Sequence, residues 1–237
     1  MRLMVVSAAF LAFIFTTAMA GFPIQQEVKC PIGGRNVQVT STPSCSYFGE
    51  HRRMSFWTPS SCDFITRLPV CRGNKFPIYK EFSDDEVKRL KKFVRTADYR
   101  DLKAESRYFR AYEIDRFLSP DRDEAELFDL LLEGLWYDAR ALTYDVSDYM
   151  SAFMRAGTKV SDADRDGNAF ASAIFAYYLY RSKRPEEAAP ILERLRGSQV
   201  YKDQEVLQDY VEAIDACIKK TRIACEPDAR IFPSEDE

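Results

Sequence analysis

The stretch SDDEVKRLKKFV, residues Ser83 to Val94, is where the chain changes character. Ser83 and Glu86 form a capping box: the hydroxyl can accept from the Glu86 amide, and the Glu86 carboxylate can reach back to the Ser83 amide. Phe82 and Val87 occupy the staple positions, and Val87, Leu90, Phe93 and Val94 recur at helical spacing. A helix begins here. Lys88, Arg89, Lys91 and Lys92 read as its solvated face, in preference to a phosphate-binding patch.

Downstream, helical patterning continues almost to the end. It predicts segments over Leu102 to Phe117, Glu124 to Leu142, Ser147 to Ala156, Asn168 to Ser182, Glu186 to Arg196 and Gln204 to Lys220. Breaks are expected at Ser119-Pro120, Gly157, Arg184-Pro185 and Gly197, where turn residues stand. Residues 81–222 are thus an α-helical domain, and 223–237, with Pro227, Pro233 and an acidic end, a loose tail.

Within this domain, Ala173, Phe175, Ala176, Leu179 and Tyr180 are followed by a short break and then Glu187-Ala188, Leu192 and Leu195. This resembles a tetratricopeptide-type helical hairpin, in which a small residue early in the second helix lets the two helices approach closely. One hairpin cannot bury its own core, so the segments over 124–156 and 204–220 must supply neighbours.

Upstream, residues 21–80 are rich in Pro, Ser, Thr, Gly and aromatics and lack helical periodicity. Val37-Gln38-Val39-Thr40 alternates as a strand does, and Phe76 to Tyr79 is a second short extended candidate. So few aliphatic side chains bury little apolar surface, which is the usual reason a small module needs cross-links.

The first twenty residues carry one charge, Arg2, then an apolar run from Leu3 to Phe15, then Thr16-Thr17-Ala18-Met19-Ala20. Small residues at Ala18 and Ala20 fit a cleavable export signal, with cleavage after Ala20. The run is shorter than the ~20 residues that cross a bilayer, so no stable membrane anchor is expected after cleavage. The formal net charge is −3, which argues against a nucleic-acid or anionic-lipid partner. The expected location is periplasmic or secreted, where cysteines pair. There are six: Cys30, Cys45, Cys62 and Cys71 in the first third, Cys217 and Cys225 near the end. Six cysteines allow 15 connectivities.

Cys30-Pro31-Ile32-Gly33-Gly34 and Val70-Cys71-Arg72-Gly73-Asn74 resemble the two CPxCG-like knuckles of an uncharacterised bacterial domain family whose members carry a helical, repeat-like tail. The resemblance implies a four-thiolate structural zinc site, two cysteines per knuckle. Here Cys30 and Cys71 match the first cysteine of each knuckle, while Gly33 and Asn74 stand in place of the second. With one thiol left in each knuckle, the resemblance implies a Cys30 to Cys71 disulfide where the metal would sit. The preferred pairing is completed by Cys45 with Cys62 and Cys217 with Cys225. A rearranged metal site using Cys45 and Cys62 is the alternative. The expected fold class is α+β: a small disulfide-stapled, loop-rich β module followed by a mainly α-helical, tetratricopeptide-like domain.

Asp162-Ala163-Asp164-Arg165-Asp166-Gly167 opens like a calcium loop, but Ala173 stands where the bidentate Glu belongs, so an acidic helix cap is the simpler reading. His51 is the only histidine, which removes the HExxH pattern and multi-histidine metal sites. Glu105-Ser106 resembles the catalytic Glu-Ser of the lytic transglycosylases, where a helix-borne carboxyl protonates a glycosidic oxygen. Aromatics at helical spacing are usually core, but tyrosines on the rim of a helical stack contact partners. Tyr108, Tyr112, Tyr177, Tyr178 and Tyr180 are therefore the candidate binding surface. The expected function is a non-enzymatic binding or scaffold protein for a protein or peptide partner, with no cofactor and no metal. The alternative is an envelope enzyme cleaving cell-wall glycan with Glu105 as general acid.

Overall fold

The computed structural model describes residues 22–33, 35–45, 53–55, 68–137, 147–162, 168–220, 225–227 and 229. The predicted export signal, His51, Cys62, most of the calcium-like loop and most of the acidic tail lie outside them. The described residues form one two-stranded sheet and nine α-helices, the mainly helical fold with a small β part that the sequence predicts.

Strand β1 (Ile24–Val28) pairs antiparallel with β2 (Val37–Ser41), with Ile24 opposite Ser41, Gln26 opposite Val39 and Val28 opposite Val37. The connection carries Cys30 and turns at Gly33, whose φ of 94° suits glycine. Cys30 is bonded to Cys71, with Cα atoms 5.6 Å apart. Cys71 opens a second tight turn: its amide donates to the Phe76 carbonyl at 2.8 Å, and Lys75 donates back to Cys71 at 3.0 Å. The extended candidate at Phe76 to Tyr79 reduces to one bridge, Val70 with Pro77.

Helix α1 (Asp84–Phe93) starts as the capping box requires: Glu86 N donates to Ser83 Oγ at 3.3 Å, and Ser83 N to Glu86 Oε2 at 2.8 Å. The helix predicted over 102–117 starts later, as α3 (Arg107–Leu118), because Ser106 is its N-cap, and a short unpredicted helix, α2 (Ala97–Leu102), capped by Thr96, precedes it. A 3-10 turn, Glu124–Leu127, leads into α4 (Phe128–Tyr137).

Helix α5 (Ser147–Asp162) runs straight through Gly157, where a break is predicted. The glycine serves packing. A Cβ there would stand 2.1 Å from Phe175 Cδ2 on the next helix. Helices α6 (Ala169–Arg181) and α7 (Pro185–Gly197) form the expected hairpin, with Pro185 in the first turn of α7, where a proline lacks nothing the helix needs. Buried Ala188 lets the pair approach. A short α8 (Gln199–Asp203) precedes α9 (Glu205–Ile218), which packs on both members of the hairpin.

Two cores result. The smaller joins Cys30, Ile32, Cys71 and Phe76 to Leu90, Tyr99, Ile114 and Leu118. It crosses the boundary drawn at residue 80. The larger runs from α3 to α9 and includes Met54, a residue of the N-terminal part that is fully buried. Helix α3 is the wall between the cores, with eight of its twelve residues buried.

The start of the tail is not loose. Cys225 is bonded to Cys217 at the end of α9, and its carbonyl accepts from Tyr177 at 3.1 Å and Arg181 at 3.2 Å. Pro227 and Ala229 carbonyls then accept from the Ser55 and Met54 amides at 3.1 and 2.9 Å.

Candidate functional site

The tyrosines predicted as a binding surface are mostly interior. Tyr112 and Tyr177 have no exposed surface and Tyr108 has 1%, which removes these three from any contact surface. Tyr178 and Tyr180 are half-buried. Each buried hydroxyl has a partner, as burial demands. Tyr108 Oη accepts from the Leu68 amide at 3.4 Å, Tyr112 donates to Glu124 Oε1 at 2.9 Å, and Tyr177 donates to the Cys225 carbonyl. Burial is the first cause that pushes the Tyr112 and Tyr177 phenols up, and it carries Tyr178 up to about 12. These hydroxyls stay protonated near neutrality and act as donors.

Glu105 does not ride on a helix. It stands in the turn ahead of Ser106, and its backbone carbonyl accepts from the Arg110 guanidinium, which also reaches the Lys75 carbonyl at 3.1 Å. The helix-borne acid of the glycan-cleaving alternative is thus not the geometry found. Ser106 adopts the extended backbone of an N-cap, φ −60° and ψ 154°, and this keeps its predecessor outside α3.

The densest polar cluster escaped the sequence reading. Asp115 on α3 is 1% exposed. Its Oδ1 accepts from Tyr79 at 3.1 Å and lies 3.6 Å from Lys80 Nζ, and Arg122 Nε stands 3.1 Å from Oδ2 as an ionic contact rather than a directed hydrogen bond. Lys80 also binds Glu86 at 2.7 Å. Desolvation, then the Asp115 charge and its hydrogen bond, hold the Tyr79 phenol far above its ordinary range. One turn away, Glu124 receives Tyr112 and faces Arg116 at 3.7 Å and Arg155 at 3.6 Å. Each of these acids faces at least one cation, so the cluster ties the β part and the 119–127 loop to α3. It offers neither an unshielded base nor a nucleophile.

Among the described residues, no three His, Cys, Asp or Glu side chains are grouped to hold a metal ion. The Cys30 to Cys71 bond spans the two turns that the knuckle resemblance singles out. Cys45 is also disulfide-bonded.

The ribbon is partly open to solvent. Ile24, Gln26 and Val28 share a face with Val37, Val39 and Ser41, while Gln25, Glu27, Gln38 and Thr40 line the other. Ile24 is 37% exposed and Phe22, two residues earlier, is 55% exposed. Residues 24 to 27 of β1 are all exposed, whereas β2 is mostly half-buried. Both strands are edges, β1 the more exposed of the two, and no third strand joins them among the described residues. Sequence reasoning missed β1 because its centre, Gln-Gln-Glu, shows no β-branched run. Comparison with family models, with curated proteins and with solved structures finds no match to this chain.

Proposed function

We propose that the chain is an exported, non-enzymatic binding protein of the cell envelope. In this reading a tetratricopeptide-like helical body acts as a rigid frame, and the β1–β2 ribbon is the element that meets a protein partner. One observation carries the proposal: an amphipathic ribbon whose β1 edge is open and whose apolar face is only partly covered, with Ile24 exposed and Val28, Val37 and Val39 half-buried. A two-stranded ribbon is marginal in water unless something packs on it or adds a strand. An extended partner segment can satisfy both needs, donating and accepting along β1 while its alternate side chains cover Ile24, Val28, Val37 and Val39.

The compartment rests on the leader and the disulfides. Disulfide-bonded cysteines, and the lack of a membrane-length apolar helix among the described residues, are compatible with an extracellular chain. The knuckle resemblance supports a bacterial source, and hence the periplasm.

The test is a photo-crosslinking amino acid placed at Gln26, with a matched one at exposed Asp209 on α9, in chain exported in its native envelope. A discrete protein adduct at position 26, absent at 209 and abolished by Ile24→Lys with Val39→Lys, is the expected result. Adducts at both positions, or none at 26, would overturn the proposal.

A further inference from the structure

We infer that the outer face of α1 is a docking surface for an anionic phospholipid bilayer. Lys88, Lys91 and Lys92 follow the i, i+3, i+4 spacing that brings side chains onto one face of α1, and Arg95 follows in the turn just past its C-cap, Val94. All four are exposed, and none makes an ion pair among the described residues. Asp84 and Asp85, also exposed, lie in the first turn of the same helix, close to the capping box, so charge is segregated along α1, acidic at its start and basic toward its end. The small net charge of the chain, which argues against such a partner, conceals this local excess.

A bare charge run would suit any polyanion; the neighbouring ring favours a lipid surface. Phe117, at the end of α3, is 38% exposed. It is stacked on Phe93 of α1 with ring centroids 4.2 Å apart. Arg89 lies 5.4 Å over the Phe117 ring and is held there by hydrogen bonds to the Phe117 and Leu118 carbonyls, both 2.9 Å. A partly exposed aromatic side chain is thus packed against the basic half of α1, on Phe93 and Arg89. This combination matches a bilayer interface, where headgroup phosphates meet the cations and the ring enters the acyl boundary. The inference does not depend on the ribbon.

The experiment is co-sedimentation of the disulfide-intact chain, without its leader, with vesicles of phosphatidylcholine alone or with 30 mol% phosphatidylglycerol. Each basic side chain near an anionic surface contributes about fivefold to partitioning. Retention by the anionic vesicles is therefore expected to exceed that by neutral ones at least tenfold and to vanish in 0.5 M NaCl, where screening is nearly complete. Lys88→Glu with Lys92→Glu, and separately Lys91→Glu with Arg95→Glu, should each remove that excess. Phe117→Ser should lower retention while sparing its salt dependence. Equal retention by both vesicles, indifference to either pair of reversals, or capture by dextran sulfate without vesicle binding would each overturn the inference.

Discussion

Replacing Gly157 by alanine puts the packing argument at risk most directly, because two effects of opposite sign meet at one methyl group. Alanine is the better helix former by about 1 kcal/mol, so an open position would gain stability. The Cβ, however, would stand 2.1, 2.3 and 2.6 Å from Cδ2, Cε2 and Cγ of Phe175. Carbon atoms settle at about 3.5 Å or more, so α5 and α6 must part by roughly 1.4 Å or the ring must turn. Phe175 is 2% exposed, and edge contacts with Phe128 and Phe153, at 6.3 and 6.2 Å, oppose turning. Overpacking typically costs about 1–3 kcal/mol, and three ring atoms inside contact distance place this case near the top.

The net expectation for Gly157→Ala is a loss of about 2 kcal/mol, or roughly 4–8 °C in Tm for a chain of this size. Denaturant unfolding of the oxidised protein, followed by circular dichroism and by tryptophan emission, reads it, provided the two transitions coincide. In a Phe175→Leu background the methyl has room, so the same change should cost little or stabilise. A coupling energy of at least ~1.5 kcal/mol is expected. A stabilised single mutant, or additive effects in the double, would refute the reasoning.

Four further outcomes follow from the same contacts. Removing the Cys217 to Cys225 bond by a pair of serines should cost about 2.5 kcal/mol, given a sequence separation of 8. It should also speed hydrogen exchange at the Met54 and Ser55 amides, and unchanged exchange there would disprove the link to the tail. The Glu86 carboxyl is held below its usual 4.5 by the Lys80 hydrogen bond and then by the Ser83 amide. Its contribution is present above about pH 4.5 and lost as pH falls through the lowered value. The stability gap to Glu86→Gln should therefore shrink on acidification, from under about 1 kcal/mol for so exposed a pair, and a pH-independent gap contradicts this. Lys183 has φ 62° just past the end of α6. Lys183→Gly is expected to raise stability by up to about 1 kcal/mol in a thermal melt, and a fall would count against the assigned strain. A fragment of residues 81–237 expressed alone should give broad, non-cooperative melting, and a sharp transition would show that the helical half is autonomous.

Features legible in the sequence were those whose cause is local. Ser83 and Glu86 mark the start of α1 because both partners of the capping box lie within one turn, and Pro185 marks α7 for the same reason. Helix α3 was harder: with eight of twelve positions buried, it shows no single apolar stripe. Its later start was available in Ser106, a good N-cap residue with the Phe109 amide as its donor. Gly157 was misread because glycine marks both helix ends and close approaches, and only the partner ring, eighteen residues away, decides between them. Tyr108, Tyr112 and Tyr177 are interior rather than surface for a related reason. Their hydroxyls find partners in Leu68, Glu124 and Cys225, and nothing in helical spacing says whether a tyrosine faces a partner protein or its own chain.

Met54 explains why the two halves do not separate at residue 80. Its side chain has no exposed surface, its carbonyl accepts from buried Tyr210 at 2.7 Å, and the next carbonyl, of Ser55, accepts from the Trp136 indole at 2.9 Å. Deleting the segment empties a methionine-sized space, worth about 2–5 kcal/mol. It also removes the acceptors of these two hydrogen bonds, at about 0.5–1.5 kcal/mol each. Those losses are a large part of the stability of an ordinary domain, about 5–15 kcal/mol. Cys217 to Cys225 acts on the same place from the other end, because the strap beginning at Cys225 supplies the carbonyls that receive the Met54 and Ser55 amides. Cys30 to Cys71 fixes the smaller core and this second bond fixes the plug of the larger one. Disulfide formation therefore completes both cores of the fold and not only its β part.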